Sequence, residues 1–248
     1  MEDKIYGRKP VLEALSSGRE IDKILIQDGA RHSGISQITA RAKERRIPFQ
    51  FVNRKRLEEL CGGENHQGVL AFAAAHAYAE VDDILSYARE RGEAPFVLIA
   101  EGLSDPHNLG SIIRTANAAG VHGVIIPKNR SVGLTATVSK VSAGAVEYTR
   151  VARVANISQT IERLKEEGLW IAGTALEGSM PHYECDLRGA IAIVIGSEGE
   201  GLSRIVREKC DFLVKIPMLG QIQSLNASVA AGVLVYEAVR QRLAGGQK

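Results

Sequence analysis

The chain has little cysteine: three residues, Cys61, Cys185 and Cys210, in 248. They form no C-x-x-C pair and leave an odd count. That excludes a disulfide framework and a cysteine-based zinc site, and fits a reducing compartment. His182 lies close to Cys185, but two candidate ligands fall short of a zinc set, so no metal is expected. No run approaches the roughly 20 apolar residues that span a bilayer. The opening Met1-Glu2-Asp3-Lys4 lacks the charged-then-apolar layout of a signal peptide. The expected location is the cytoplasm. Internal repeats, low-complexity tracts and a Walker phosphate loop are missing too. Gly196, Gly199 and Gly201 stand in the wrong order for a Rossmann fingerprint.

What is there is enough for a globular protein of one large or two modest domains. At 45% hydrophobic and 24% charged, the chain can bury a sizeable core. Net charge is only +2, but residues 1–75 hold 13 Lys+Arg against 10 Asp+Glu, and the remainder 18 against 19. The mildly basic front suggests contact with a polyanion.

Along that front, a helix from Lys9 to Ser16 carries Pro10 in its first turn and Gly18 past its end. Strands are expected at Ile24–Ile26, Pro48–Val52 and Gly68–Ala73. Helices are expected over 33–46 and, capped by Asn53, to about Leu60. This alternation makes a small α/β domain over 1–75. Arg41, Lys43, Arg45 and Arg46 cluster on one helix, and Arg54, Lys55 and Arg56 open the next. Any one of these sits most simply on a solvated helix face; together, on a separate domain, they favour a nucleic-acid surface. The polar Asn65-His66-Gln67-Gly68 reads as a turn into a strand. Residues 76–94 read as a linker holding one amphipathic helix, and 95–248 as a second domain.

In the second domain strands recur at Phe96–Ala100, Gly123–Ile126, Trp170–Ala175, Ala190–Ile195 and Phe212–Ile216, with another near Tyr148–Val154. Helices are expected over 108–119, 156–167 and 225–243. Apolar strands without alternation imply a parallel sheet covered by helices on both faces. Ligands of such sheets sit beyond the carboxyl ends of the strands. Three polar runs lie there: Asp105–Arg114, Ile195–Ser203 and Ile216–Asn226. In the first, 100° steps gather Leu109, Ile112, Ile113, Ala116 and Ala119 on a core arc and put Asn108, Ser111 and Arg114 opposite. In the second, three glycines in six residues allow close backbone approach around Glu198. In the third, Ser224 and Asn226 could both cap the last helix. Two caps are redundant, so one is expected to be free for a substrate.

Together these runs (Asp105-Pro106-His107-Asn108-Leu109-Gly110-Ser111-Ile112-Ile113-Arg114, then Ile195-Gly196-Ser197-Glu198-Gly199-Glu200-Gly201, then Ile216-Pro217-Met218 with Ser224-Leu225-Asn226) resemble the three motifs of the SpoU branch of SPOUT RNA 2′-O-ribose methyltransferases. Order and spacing agree over residues ~95–243; the one departure, Ser111 for a frequent alanine, touches no expected function. The N-terminal Ile5-Tyr6-Gly7 and His66-Gln67-Gly68-Val69 resemble the bacterial 23S rRNA guanosine 2′-O-methyltransferases, which modify the P-site loop of the peptidyl-transferase centre. The resemblance implies an α/β catalytic domain whose parallel sheet carries a deep trefoil knot, an N-terminal domain like ribosomal protein L30e, and a homodimer. It implies S-adenosylmethionine bound through backbone groups of Gly196, Ile216 and Leu225, with Met218 beside it and Thr174 near it. Asn108, Arg114, Glu198, Ser224 and Asn226 carry over as catalytic. Arg41, Arg45, Arg54, Lys55, Arg56 and His66 are the candidate RNA contacts. A guanidinium is a poor base, so Arg114 is read as a phosphate clamp, at its own or its partner's site, with Glu198 or a water taking the proton. A tRNA target, a resistance site in rRNA, and a catalytically idle RNA-binding homologue stay open as alternatives.

Overall fold

The computed structural model describes residues 3–30, 32–176 and 178–245; Met1 and Glu2, on which the signal-peptide reading partly rests, lie outside them. The chain divides into two compact units. The first holds the described residues up to Ala77 together with Gly133–Thr137, and the second the rest.

The first unit runs β1 (Asp3–Tyr6), α1 (Arg8–Ser16), β2 (Ile21–Gln27), α2 (Ser33–Glu44), β3 (Phe49–Val52), α3 (Arg54–Cys61), β4 (Val69–Ala73). Its sheet has the order β1-β4-β2-β3, with β2–β3 parallel and the other pairs antiparallel. Alternation along β2 separates two cores: Ile24 and Ile26 pack with Val11, Ile35 and Ile38 of α1 and α2, whereas Leu25 packs with Leu57 and Cys61 of α3. The Asn53 cap is present, its side chain accepting from Arg56 N at 2.9 Å. The short edge strand β1 was not expected, because two charged residues followed by Ile5 and Tyr6 show no alternation and are too few to stand out.

The second unit runs α4 (Val81–Glu90), β5 (Phe96–Ala100), α5 (Pro106–Ala118), β6 (Gly123–Pro127), α6 (Ala136–Val141, of which Ala136 and Thr137 count with the first unit), β7 (Arg150–Val154), α7 (Ile157–Glu166), β8 (Trp170–Thr174), β9 (Met180–Pro181), β10 (Ile191–Ile195), α8 (Arg204–Lys209), β11 (Phe212–Lys215), α9 (Ala227–Ala244). Its seven-stranded sheet has the order β7-β6-β5-β10-β8-β11-β9, and every pairing is parallel. β5 and β10 are buried along their whole length, as a sheet covered on both faces requires. Val81, Ile84 and Leu85 of α4, Ile157, Ile161 and Leu164 of α7, and Val206 of α8 cover Val97, Ile99 and Val194. The stretch read as a linker therefore contributes a core helix to this unit. α5 and α9 pack on each other, α5 also against β6 and α9 against β10.

Two details differ from the pattern in the sequence. The strand expected near Tyr148 begins at Arg150, and Tyr148 stands exposed before it. The last helix, apolar nearly all round, buries Ala231, Leu234, Val235 and Ala238 but exposes Val229 and Tyr236. A polar clamp joins β5 to the β6 entrance. Buried His122 accepts from Phe96 N through Nδ1 at 2.9 Å and pairs through Nε2 with Glu93 at 3.1 Å. Burial lowers the His122 pKa, against the opposing pull of Glu93.

Candidate functional site

Three loops leaving the carboxyl ends of β5, β10 and β11 converge. The first enters α5 through Asp105, whose carboxylate accepts from His107 N at 2.8 Å, with Pro106 at the first helical position. This sets Asn108 in the opening turn. Of the polar arc expected from helical spacing, Asn108 is the member that another loop covers. It is buried, Ser111 is half-buried and Arg114 exposed, because the loop after β10 packs over the helix's start and supplies Asn108 with a partner.

That loop is a tight hairpin. Ser197 and Gly201 exchange two backbone hydrogen bonds of 3.0 Å. A side chain at Gly196 would collide with the backbone of Gly201 and Leu202, and Gly199 and Gly201 adopt φ of +93° and +69°, which other residues rarely reach. Glu198 is held at the tip. Its Oε1 accepts from Asn108 Nδ2 at 2.7 Å and from Asn226 Nδ2 at 2.8 Å. Asn226 Nδ2 also donates to Asn108 Oδ1 at 2.9 Å, while its Oδ1 caps α9 by accepting from Ser228 N and Val229 N. Capping fixes which end of the Asn226 amide faces the carboxylate. Ser224 is exposed and makes no hydrogen bond among the described residues. Of the two redundant caps, Asn226 takes the helix and Ser224 is the free one.

Beside this cluster lies a cleft of about 520 Å³, within the usual span for small-molecule sites. Thr174, Gly196, Ile216, Met218 and Leu225 all line it, as do Glu198, Ser224 and Asn226. Gly196 N–H donates to Thr174 Oγ1 at 3.3 Å, tying the glycine hairpin to β8. Val214, Ala230 and Leu234 supply apolar wall. Arg114 does not line the cleft of its own chain, and no hydrogen bond or ion pair engages it among the described residues. Sequence reasoning missed Glu101: its carboxylate accepts from Ser203 Oγ at 2.7 Å and Ser203 N at 3.1 Å, anchoring the far end of the hairpin. The signal was a lone carboxylate directly after an apolar strand. Burial pushes all three thiols up, Cys210 to about 12, so none is a ready thiolate nucleophile.

The candidate RNA contacts of the first unit are more loosely placed. The Arg45 guanidinium donates to the carbonyls of Leu15, Gly18 and Arg19, which makes it a brace between α2 and the end of α1. Arg41 donates to Ser16 Oγ. Arg54 pairs with Glu58 at 2.7 Å and Arg56 with Glu59 at 3.6 Å, all strongly exposed. Lys55 is exposed with no such partner among the described residues. His66 Nδ1 accepts from Gly68 N at 3.0 Å and shapes the turn into β4.

The chain matches the SpoU rRNA methylase family over residues 95–236 and the substrate-binding domain of RNA 2′-O-ribose methyltransferases over residues 4–79. A Bacillus subtilis protein assigned to the TrmH family of tRNA/rRNA methyltransferases is 48% identical over 240 residues, 97% of this chain and 96% of its own length. Two crystal structures with bound AdoMet share the fold. The SpoU methyltransferase AviRb of Streptomyces viridochromogenes has a TM-score of 0.63 at 25% identity, over 98% of this chain and 92% of its own. An rRNA methyltransferase of Sinorhizobium meliloti has a TM-score of 0.61 at 27% identity, over 96% and 86%. With its catalytic and substrate-binding parts both matched, the chain belongs to the SpoU family of RNA 2′-O-ribose methyltransferases.

Proposed function

We propose that the protein transfers the methyl group of S-adenosylmethionine to a ribose 2′-hydroxyl of 23S rRNA, at a guanosine of the P-site loop. The observation that carries the chemistry is the Asn108–Glu198–Asn226 cluster at the wall of the cleft. Both amides donate to one oxygen of Glu198, Oε1. The carboxylate is thereby fixed in direction, and Oε2 is left to accept from a substrate hydroxyl.

The cleft fits the cofactor by its walls. The backbone of Gly196 lies where no side chain has room, and the apolar Ile216, Met218 and Leu225 border the space. Gly196, Ile216 and Leu225 would hold S-adenosylmethionine through backbone groups, with Met218 and Thr174 beside it. When bound, it supplies a methyl group already activated by its sulfonium. The chain's own task is positioning and removal of one proton. Glu198 takes the 2′-hydroxyl proton directly or through a water, Ser224 offers a free hydroxyl to the ribose, and Arg114 clamps the adjoining phosphate. Because Arg114 stands outside its own cleft, it serves the site of a second copy. The exposed apolar Leu219, Ile222, Val229 and Tyr236 support a homodimer, and a SPOUT knot through the glycine hairpin and the 216–226 loop fits the same reading.

The rRNA target is favoured over tRNA by the substrate-binding domain at residues 4–79, which short tRNA-modifying members of the family lack. Such a target places the enzyme in the cytoplasm, in rRNA maturation. Mapping ribose methylation in rRNA and tRNA from a deletion strain tests it. Loss of one mark, in the P-site loop, is expected. An intact loop with a mark missing from tRNA would overturn the rRNA assignment.

A further inference from the structure

A second cavity of about 610 Å³ lies on the other side of the glycine hairpin, and Ser197 and Gly201 line both spaces. It opens beyond the carboxyl ends of β6 and β7, where an open parallel sheet presents ligands. Its lining is unlike that of the cofactor cleft. Pro127 and the exposed Ile205 give apolar surface, and Asn129, Arg130, Asn156 and Glu200 add polar groups to the lining. Apolar surface with donors and acceptors at its edge suits an unstacked nucleobase. Arg130 makes no hydrogen bond or ion pair among the described residues, is exposed and holds φ of +56°. Arg204, also in the lining, has only a solvent-exposed partner in Glu208. Two guanidiniums are therefore within the cavity's lining and available to phosphate.

The strap that carries Arg130 is fastened to the first motif. Leu103 O accepts from Val132 N at 2.8 Å and from Ser131 Oγ at 3.1 Å, and Leu103 leads into Asp105 and the turn bearing Asn108. On its other side the cavity meets Ser203, held by Glu101. The two segments that position Asn108 and Glu198 thus form walls of this second space.

We propose that this cavity is an RNA subsite of the catalytic unit that takes a nucleotide flanking the methylated one, its base against Ile205 and Pro127 and its phosphate against Arg130. The subsite rests on the RNA-methylating function above and adds a determinant of RNA recognition outside the substrate-binding domain. Single-stranded recognition of an unstacked neighbour would select loops over duplex.

Steady-state methyl transfer from labelled S-adenosylmethionine to unmethylated 23S rRNA transcript, by the full chain, tests it. Arg130→Glu and Ile205→Asp should each raise the KM for the transcript about tenfold or more, with calorimetric affinity for S-adenosylmethionine unchanged. Arg130→Lys should recover part of the loss, and Arg130→Ala should reduce the salt slope of RNA binding by roughly one phosphate contact. A KM within about twofold of wild type for both Arg130→Glu and Ile205→Asp overturns the subsite and leaves the methyltransferase assignment standing. An equal fall in cofactor affinity overturns it too, because it marks a structural effect. Failure of the wild type to methylate either rRNA or tRNA removes the function on which the subsite depends.

Discussion

The glycine hairpin and the basic helices of the first unit both carry charge, and they carry it differently. Around Glu198 the polar atoms are bonded to one another at 2.7–2.9 Å, on backbone that admits no side chain at Gly196. On α3 the arginines pair with neighbouring glutamates one turn away, in full solvent. Exposed pairs of that kind contribute little and reorganise freely. A reaction centre needs groups that are already in place when substrate arrives, whereas a surface for a polyanion needs only charge density and mobility. The contrast predicts which substitutions stop chemistry and which only weaken binding.

The largest effect is expected at Arg114. Arg114→Ala should cut methyl transfer by about 10³-fold or more while S-adenosylmethionine affinity stays near normal; turnover close to wild type would remove Arg114 from the site. Asn226→Ala deletes both a donor to Glu198 and the cap of α9. Transfer should fall by roughly 10²-fold, and thermal unfolding should register a loss of about 1 kcal/mol. Leu109→Ala, in the α5 core, should cost about 2–5 kcal/mol in denaturant unfolding and would separate loss of fold from loss of chemistry. Reversing Arg54, Lys55 and Arg56 to glutamate should leave stability within about 0.5 kcal/mol but weaken RNA binding and flatten its salt slope. An unchanged slope would make them a solvated face and nothing more.

The smallest effect concerns His122. Its folded-state pKa is depressed, chiefly by burial, so the unfolded chain takes up the proton first. Its contribution is complete above the unfolded value of about 6.5 and is lost as pH falls below that toward the folded value. Between pH 7 and 5 the melting temperature should decline, and His122→Gln should flatten that decline.

Much of this was legible in the sequence, for identifiable reasons. Strands such as Phe96–Ala100 and Ile191–Ile195 are uninterrupted apolar runs, which only a doubly covered parallel sheet accommodates. The glycine spacing around Glu198 and the paired Ser224 and Asn226 marked the loops that converge. Helical spacing put Asn108 on the polar arc but did not show its burial. It separates polar from apolar arcs but cannot foresee that another loop, 90 residues on, will cover a polar position and bond it. The partners of Arg45 were hidden in the same way, because the carbonyls that engage it come from another helix's end. Glu101 escaped notice because its partner, Ser203, lies 102 residues away. Long-range pairing of polar side chains is where single-sequence reasoning ends.

The most direct test is the single-turnover rate of Glu198→Gln. Glutamine keeps an oxygen for the amides of Asn108 and Asn226 but replaces the oxygen that would accept the 2′-hydroxyl proton. The predicted result is a fall in transfer of about 10²–10⁴-fold with unchanged S-adenosylmethionine and RNA affinity. A rate within a few fold of wild type would contradict the role given to Glu198 and, with it, the cluster on which the mechanism stands.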